Sequence, residues 1–133
     1  EFRRVLFRSE EKTWEQALDC RAINALLVGP DGRLYGTTVG GTNPTLFVFD
    51  PQALAFTDTL QLPDGAPLDL GLQTGPDAKI YGFTRSCVYR LDPTTLHIEP
   101  VVARENAFSV AGPIVGDSIF FADEHRLCAA TIF

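Results

Sequence analysis

Gly29-Pro30-Asp31-Gly32-Arg33-Leu34-Tyr35-Gly36 is the stretch that decides the fold, because it returns as Gly75-Pro76-Asp77-Ala78-Lys79-Ile80-Tyr81-Gly82. A weaker third copy reads Gly116-Asp117-Ser118-Ile119-Phe120-Phe121. Downstream of the first copy, Leu46-Phe47-Val48-Phe49-Asp50-Pro51 is matched by Val88-Tyr89-Arg90-Leu91-Asp92-Pro93. Leu34 and Ile80 lie 46 residues apart, and Ile80 and Ile119 lie 39 apart.

Each piece of the repeat has the chemistry of a strand or a turn. Residues 23–28 and 68–72 are short apolar runs, expected as buried inner strands. In the turn, Pro30 presets φ, Asp31 can bond the backbone two residues on, and Gly32 accepts positive φ. Residues 33–38 and 79–84 alternate charged or small residues with apolar ones, as a half-buried strand does. Residues 45–49 and 87–91 form the next strands, and Asp-Pro ends each because proline has no ladder donor. The last strands are expected over 56–62 and 97–102, with Phe56, Asp58 and Leu60 on one face and Thr57, Thr59 and Gln61 on the other.

A period of about forty residues built from short strands is the pattern of a β-propeller, with about four strands per blade. The expected fold class is all-β, a partial β-propeller of about three four-stranded antiparallel blades. The blades fall near 22–62, 68–102 and 108–133, the last lacking its outer strand. A β-sandwich also has short strands and frequent turns, but the matching offsets of Gly-Pro-Asp and Asp-Pro favour the propeller. Propellers close with roughly four to eight blades. Three leave apolar faces open, so the chain is expected to need the remaining blades of its own chain. Residues 10–21 read as a linker or the remnant of a preceding blade, in which Thr13-x-x-Gln16 can cap one helical turn.

Composition sets the remaining bounds. The chain has 133 residues, 45% hydrophobic and 21% charged, which excludes disorder, collagen and coiled coil. No apolar run approaches the roughly 18 residues of a membrane helix, so no membrane partner is expected. Eleven basic against 17 acidic residues give a net charge of −6 with no basic patch, so no nucleic acid is expected either. Glu1-Phe2-Arg3-Arg4-Val5-Leu6-Phe7-Arg8-Ser9 resembles the conceptual translation of a DNA sequencing adapter and is set apart from the fold. Without those nine residues the balance moves to −8. With no Met in the chain, the sequence reads as the C-terminal part of a larger protein, whose N-terminal region would supply the missing outer strand.

The motifs Gly-Pro-Asp-Gly-x-Leu-Tyr-Gly and Leu-Phe-Val-Phe-Asp-Pro resemble those of bacterial β-propeller repeat proteins. These include the gluconolactonase-like, virginiamycin-lyase-like, quinoprotein-like and YVTN types, and the resemblance covers about residues 23–130. It implies a propeller of six to eight blades and an extracytoplasmic location. Gluconolactonase-like membership would imply a divalent metal held by Glu, Asn and Asp on the axis, and lyase-like membership a catalytic His. No motif here matches those residues, so no catalytic residue, metal ligand or cofactor is assigned. The function expected is a non-catalytic module presenting loops to a small molecule, a carbohydrate or a protein. The alternative is part of a propeller enzyme of lactonase or lyase type with an axial site.

Two sets of residues are candidates for that function. Asn24, Asp69 and Ser109 hold the same relative position in Ile23-Asn24-Ala25-Leu26, Leu68-Asp69-Leu70-Gly71 and Phe108-Ser109-Val110-Ala111. They are expected to line the channel, either for an axial metal or substrate or simply as polar lining of a water-filled space. The second set comes from loops that do not repeat, namely 39–44, 62–67, 85–86, 103–107 and 124–125, which share one face in a propeller. It comprises Asn43, Arg85, Arg104, Glu124 and His125. Arg85, Arg104 and Arg126 can reach an acidic ligand from that face, and Asp123-Glu124-His125-Arg126 is read as either a ligand-holding cluster or a charged hairpin. Gly40-Gly41 lacks the Lys-Ser/Thr of a phosphate loop, and Pro44 removes the glycosylation reading of Asn43-Pro44-Thr45. Cys20, Cys87 and Cys128 have no CxxC spacing and read as free thiols. His97 reads as a surface residue. Asp31, Asp50, Asp77, Asp92 and Asp117 each stand alone beside Gly or Pro, as turn-makers rather than calcium ligands.

Overall fold

The computed structural model describes residues 12–13, 18–63 and 65–133. The adapter-like segment 1–9 and residues 14–16 of the possible helical turn at Thr13-x-x-Gln16 fall outside the described residues. Among the described residues there is no helix and there are eleven strands. Sheet 1 is β1 (Ala22–Val28), β2 (Leu34–Val39), β3 (Thr45–Asp50) and β4 (Ala55–Gln61). Sheet 2 is β5 (Pro67–Thr74), β6 (Ile80–Thr84), β7 (Cys87–Leu91) and β8 (Ile98–Ala103). Sheet 3 is β9 (Val110–Val115), β10 (Ser118–Asp123) and β11 (Arg126–Thr131). Every pairing is antiparallel and joins strands adjacent in sequence, so each sheet is a simple meander. The first strands of the three sheets lie side by side, β1 against β5 and β5 against β9.

The Gly-Pro-Asp turns close the first hairpin of sheets 1 and 2 with the same bonds. Asp31 Oδ1 accepts from the Arg33 N–H at 3.2 Å, and Asp77 Oδ1 from the Lys79 N–H at 3.2 Å. Gly32 has φ +83° and Ala78, at the same position, φ +61°. Glycine takes this left-handed conformation freely, whereas alanine carries a steric cost there. The other carboxylate oxygen of each Asp accepts from a tyrosine four residues on, Tyr35 at 2.7 Å and Tyr81 at 2.8 Å. Asp50 and Asp92 make Asx turns after β3 and β7, accepting from the N–H groups of Gln52 and Thr94 at 2.9 Å each.

Two apolar layers hold the sheets together. Tyr35, Leu46 and Val48 of sheet 1 meet Ile80, Tyr89 and Leu91 of sheet 2. The opposite face of sheet 2, with Tyr81, Phe83 and Val88, meets Phe108, Ile119 and Phe121. Residues of β6 therefore alternate between two buried interfaces, and all five are buried. Sheet 2 thus has a leading face toward sheet 1 and a trailing face toward sheet 3, and the corresponding faces of sheets 1 and 3 take the same names. In β4, Phe56, Asp58 and Leu60 are half-buried while Thr57, Thr59 and Gln61 are exposed, as the alternation predicts.

The inner strands differ from expectation. The apolar run 23–28 was expected to be buried, yet Ile23, Leu26 and Val28 are exposed, as is Leu70 in β5. Burial concentrates instead in the two middle strands of each four-stranded sheet, because only these have strand neighbours on both sides. Each first strand is also bulged. Asn24 is the extra residue in β1, residues 68–71 stand opposite Phe83 alone, and Gly112 and Pro113 stand opposite Phe120 alone. Bulges bend a strand and re-aim its side chains. Leu70 sits at φ +55° inside the largest of them, a strained conformation for a bulky residue.

Candidate functional site

Because every strand pair is antiparallel, connections alternate between the two ends of the sheets. One end carries the Gly-Pro-Asp and Asp-Pro turns. The other carries the irregular loops 40–44, 62–66, 85–86, 104–109 and 124–125. Two neighbouring cavities open at the irregular end, of about 660 and 480 Å³. Arg85, Phe108 and Ser109 line both. The larger also takes Arg21, Gly40, Pro67 and Asp69, and the smaller takes Glu105, Asp123, Glu124 and Arg126.

Asn24 and Asp69 come together, Asn24 Nδ2 donating to Asp69 Oδ1 at 3.1 Å and to the Pro67 carbonyl at 3.0 Å. Thr37 Oγ1 donates to Asn24 Oδ1 at 2.6 Å, so the amide is engaged on both sides. This chain ties sheet 1 to the bulge of β5. Ser109 shares a cavity wall with Asp69 but precedes β9, and its Oγ accepts from the Glu124 N–H at 2.9 Å. A second tie of the same kind comes from Gln73. Its Nε2 donates to the Gly112 carbonyl at 2.6 Å, and its Oε1 accepts from the Ile114 N–H at 2.8 Å. A side-chain amide here stands in for the ladder bonds that β5 and β9 do not make with each other. Nothing local in the sequence singles out Gln73, since its partner is about forty residues away.

The arginines separate into two groups. Arg104 and Arg126 each donate from Nη2 to Asp123 Oδ2 at 2.7 Å. Arg104 also lies over Phe108 and Phe121, its guanidinium carbon 5.5 and 5.2 Å from the ring centroids. Burial pushes the Asp123 carboxyl up, but the two guanidinium hydrogen bonds outweigh it and hold it below the usual carboxylate range. Both cations are thus spent on Asp123, contrary to the expectation that they reach for a ligand. Arg85 is exposed and makes no ion pair with another described residue, while its backbone is fixed at both ends. Its N–H donates to the Ala66 carbonyl at 2.9 Å, and its carbonyl accepts from the Phe108 N–H at 2.9 Å.

Asn43 lies elsewhere, on a cavity of about 180 Å³ with Asp19, Thr42 and Thr45. Glu124, at φ +55°, and exposed His125 form the β10–β11 turn. His97 is exposed, just ahead of β8, with Nε2 3.8 Å from Glu99. Cys87 is buried, Cys20 and Cys128 are half-buried, and all three are free thiols. Among the described residues, no three His, Cys, Asp or Glu side chains gather as metal ligands. No family model, curated protein or solved structure matches the chain.

Proposed function

We propose that the three sheets are consecutive blades of a β-propeller arc, and that the irregular end binds a small acidic molecule such as a sugar acid without turning it over. Three features support the blade reading: the meander order of each sheet, the side-by-side first strands, and the leading-on-trailing stacking. The observation that carries the ligand reading is Arg85, an exposed guanidinium on the wall shared by both cavities. A guanidinium fork matches a carboxylate with two parallel hydrogen bonds. Arg21 adds a second cation to the larger cavity, against one carboxylate from Asp69. Glu105 and Glu124 on the smaller cavity repel highly charged ligands, which favours a monoanion.

Calorimetric titration with gluconate, glucuronate and galacturonate, and with glucose as the neutral control, tests this. Sugar acids are expected to bind and glucose not to. Arg85→Ala should weaken binding by about tenfold or more, equivalent to about 1.4 kcal/mol. Arg126→Ala, whose guanidinium is already held by Asp123, should change it far less. Equal binding of glucose, or an unaffected Arg85→Ala variant, would overturn the reading. Hydrolysis of the corresponding lactone by the chain would replace it with the lactonase-type alternative.

A further inference from the structure

Two bulges meet beside the larger cavity. Asn24 is the extra residue of β1, and Asp69 lies within the 68–71 bulge of β5. Bulges turn side chains out of the ladder, and these two are held to each other by the 3.1 Å bond from Asn24 Nδ2 to Asp69 Oδ1. The amide is locked in this sense, because buried Thr37 donates to its Oδ1 at 2.6 Å and the Pro67 carbonyl accepts from its Nδ2 at 3.0 Å. Only one oxygen of Asp69 is used in this way. Among the described residues, Asp69 Oδ2 receives no hydrogen bond and makes no ion pair. On the wall of the same cavity, Ser109 Oγ accepts from the Glu124 N–H, which leaves its own proton to give. The cavity therefore holds a fixed free acceptor and a free donor as well as the Arg85 guanidinium.

We infer that the larger cavity selects a hydroxylated monocarboxylic acid over a plain one, with Arg85 taking the carboxylate and Asp69 Oδ2 and Ser109 Oγ reading the ligand's hydroxyl groups. Alcohols both give and accept hydrogen bonds, so they satisfy the free acceptor and the free donor together. An alkyl chain in the same place would strip water from the Asp69 carboxylate and return nothing, which costs more than the bond itself contributes. Charge decides between a hydroxyl and an ammonium as the group that meets Asp69. Arg21 and Arg85 against Asp69 leave the cavity with one positive charge in excess. A monoanion cancels that excess and a zwitterion does not. Asn24 and Thr37 are positioning residues, which keep the Asp69 carboxylate aimed by holding its other oxygen. The inference rests on the ligand reading proposed above and adds to it the side chains that read the rest of the molecule.

Calorimetric titration of the full chain with acids of matched chain length, namely gluconate, hexanoate and norleucine, is the test. The wild type should bind gluconate about tenfold or more tighter than hexanoate, and norleucine no better than hexanoate. Asp69→Ala should weaken gluconate by about tenfold while hexanoate binds as well or better, because a negative charge has left the site. Arg85→Ala should weaken both acids alike and leave their ratio unchanged. A residue that only shaped the cavity would also move the two acids together, so the ratio is the decisive readout. Thr37→Val, which unlocks the Asn24 amide, should lower the ratio by less than Asp69→Ala does and leave hexanoate unmoved. Circular dichroism checks that each variant keeps its strands, and Asp69→Asn, which keeps the size and removes the charge, repeats the test if Asp69→Ala unfolds. Equal binding of gluconate and hexanoate by the wild type, or an unmoved ratio in Asp69→Ala, overturns the inference and leaves the carboxylate site standing. Norleucine bound more tightly than hexanoate also overturns it, in favour of an ammonium at Asp69. A wild type that binds none of the three overturns the ligand reading and the inference with it.

Discussion

Sheet 2 and its neighbours are made of similar strands but live in different surroundings. β6 reads Ile-Tyr-Gly-Phe-Thr and buries every residue. β10, at the matching place in sheet 3, reads Ser-Ile-Phe-Phe-Ala-Asp and buries only alternate ones. The residues are no less apolar in β10; what differs is that sheet 2 has a sheet on each side and sheet 3 has one. Between these two sheets burial, and with it the cost of substitution, follows the cover on each face more than the hydrophobicity of the strand; in sheet 1, β2 and β3 bury their middle residues on both faces.

The largest effect that would test this contrast is a core truncation. Phe83 is 1% exposed and packs edge-on against Phe108, with ring centroids 5.4 Å apart. Phe83→Ala should destabilise by about 3–5 kcal/mol, the usual cost of emptying a buried aromatic site. Val110→Ala, on the free trailing face of sheet 3, should stay within about 0.5 kcal/mol. Urea unfolding followed by circular dichroism measures both under conditions where the chain is dispersed. Equal costs would mean that Val110 is covered in solution, which would break the contrast.

A middle-sized effect concerns the tyrosines that both turns use. Tyr35 and Tyr81 are buried, and each gives its hydroxyl proton to the carboxylate four residues earlier. Burial raises the pKa of both hydroxyls, and the hydrogen-bonded carboxylates add to the rise. Tyr35→Phe and Tyr81→Phe should each cost about 1 kcal/mol, the net worth of a typical hydrogen bond, with packing unchanged. A gap of much more than that between the two would show that the turns of sheets 1 and 2 are less alike than their geometry. The glycines of the motif serve the same aromatic packing. A Cβ on Gly29 or Gly75 would run into the Tyr35 or Tyr81 ring, and one on Gly82 into the Tyr89 ring.

These elements were readable in the sequence because their causes are local. Gly, Pro and Asp specify a turn within four residues, and period-two alternation specifies which side chains share a face. Thr45–Asp50 and Cys87–Leu91 accordingly fall within a residue of the expected 45–49 and 87–91. What could not be read depends on distant partners. The exposure of Leu26 and Val28 reflects the place of β1 at the edge of its sheet. The left-handed Leu70 follows from the register of β5 against β6. The candidate site divides the same way. That the irregular loops share one end follows from strand order, and Arg126 reaches Asp123 across the β10–β11 turn, but the capture of Arg104 by the same carboxylate depends on the loop after β8 meeting the end of β10 in space.

The smallest effect separates the two turns by pH. Asp31 is bonded by Tyr35 and by Arg33 Nε at 2.7 Å, and Arg33 Nη2 crosses to the Pro93 carbonyl of sheet 2 at 2.9 Å. Lys79, at the matching place, turns to Asp92 of its own sheet at 2.8 Å. It has no such turn to reach across to, because sheet 3 has no fourth strand among the described residues. Burial raises the Asp31 carboxyl, yet the hydrogen bonds from Tyr35 and Arg33 leave it below its ordinary value. A carboxylate with a lowered folded pKa stabilises the fold above its unfolded value of about 3.9 and loses that contribution as pH falls through the folded value. Arg33→Gln should therefore flatten the acid side of the stability curve and remove the bridge between sheets. Lys79→Gln should flatten it through Asp92, also held low by Lys79, without touching any contact between sheets. Partly exposed pairs of this kind are worth only about 0–1 kcal/mol, so the comparison rests on shape. Unfolding measured from pH 7 down toward pH 2 should show Arg33→Gln offset at every pH, whereas Lys79→Gln should converge with the wild type at the acid end.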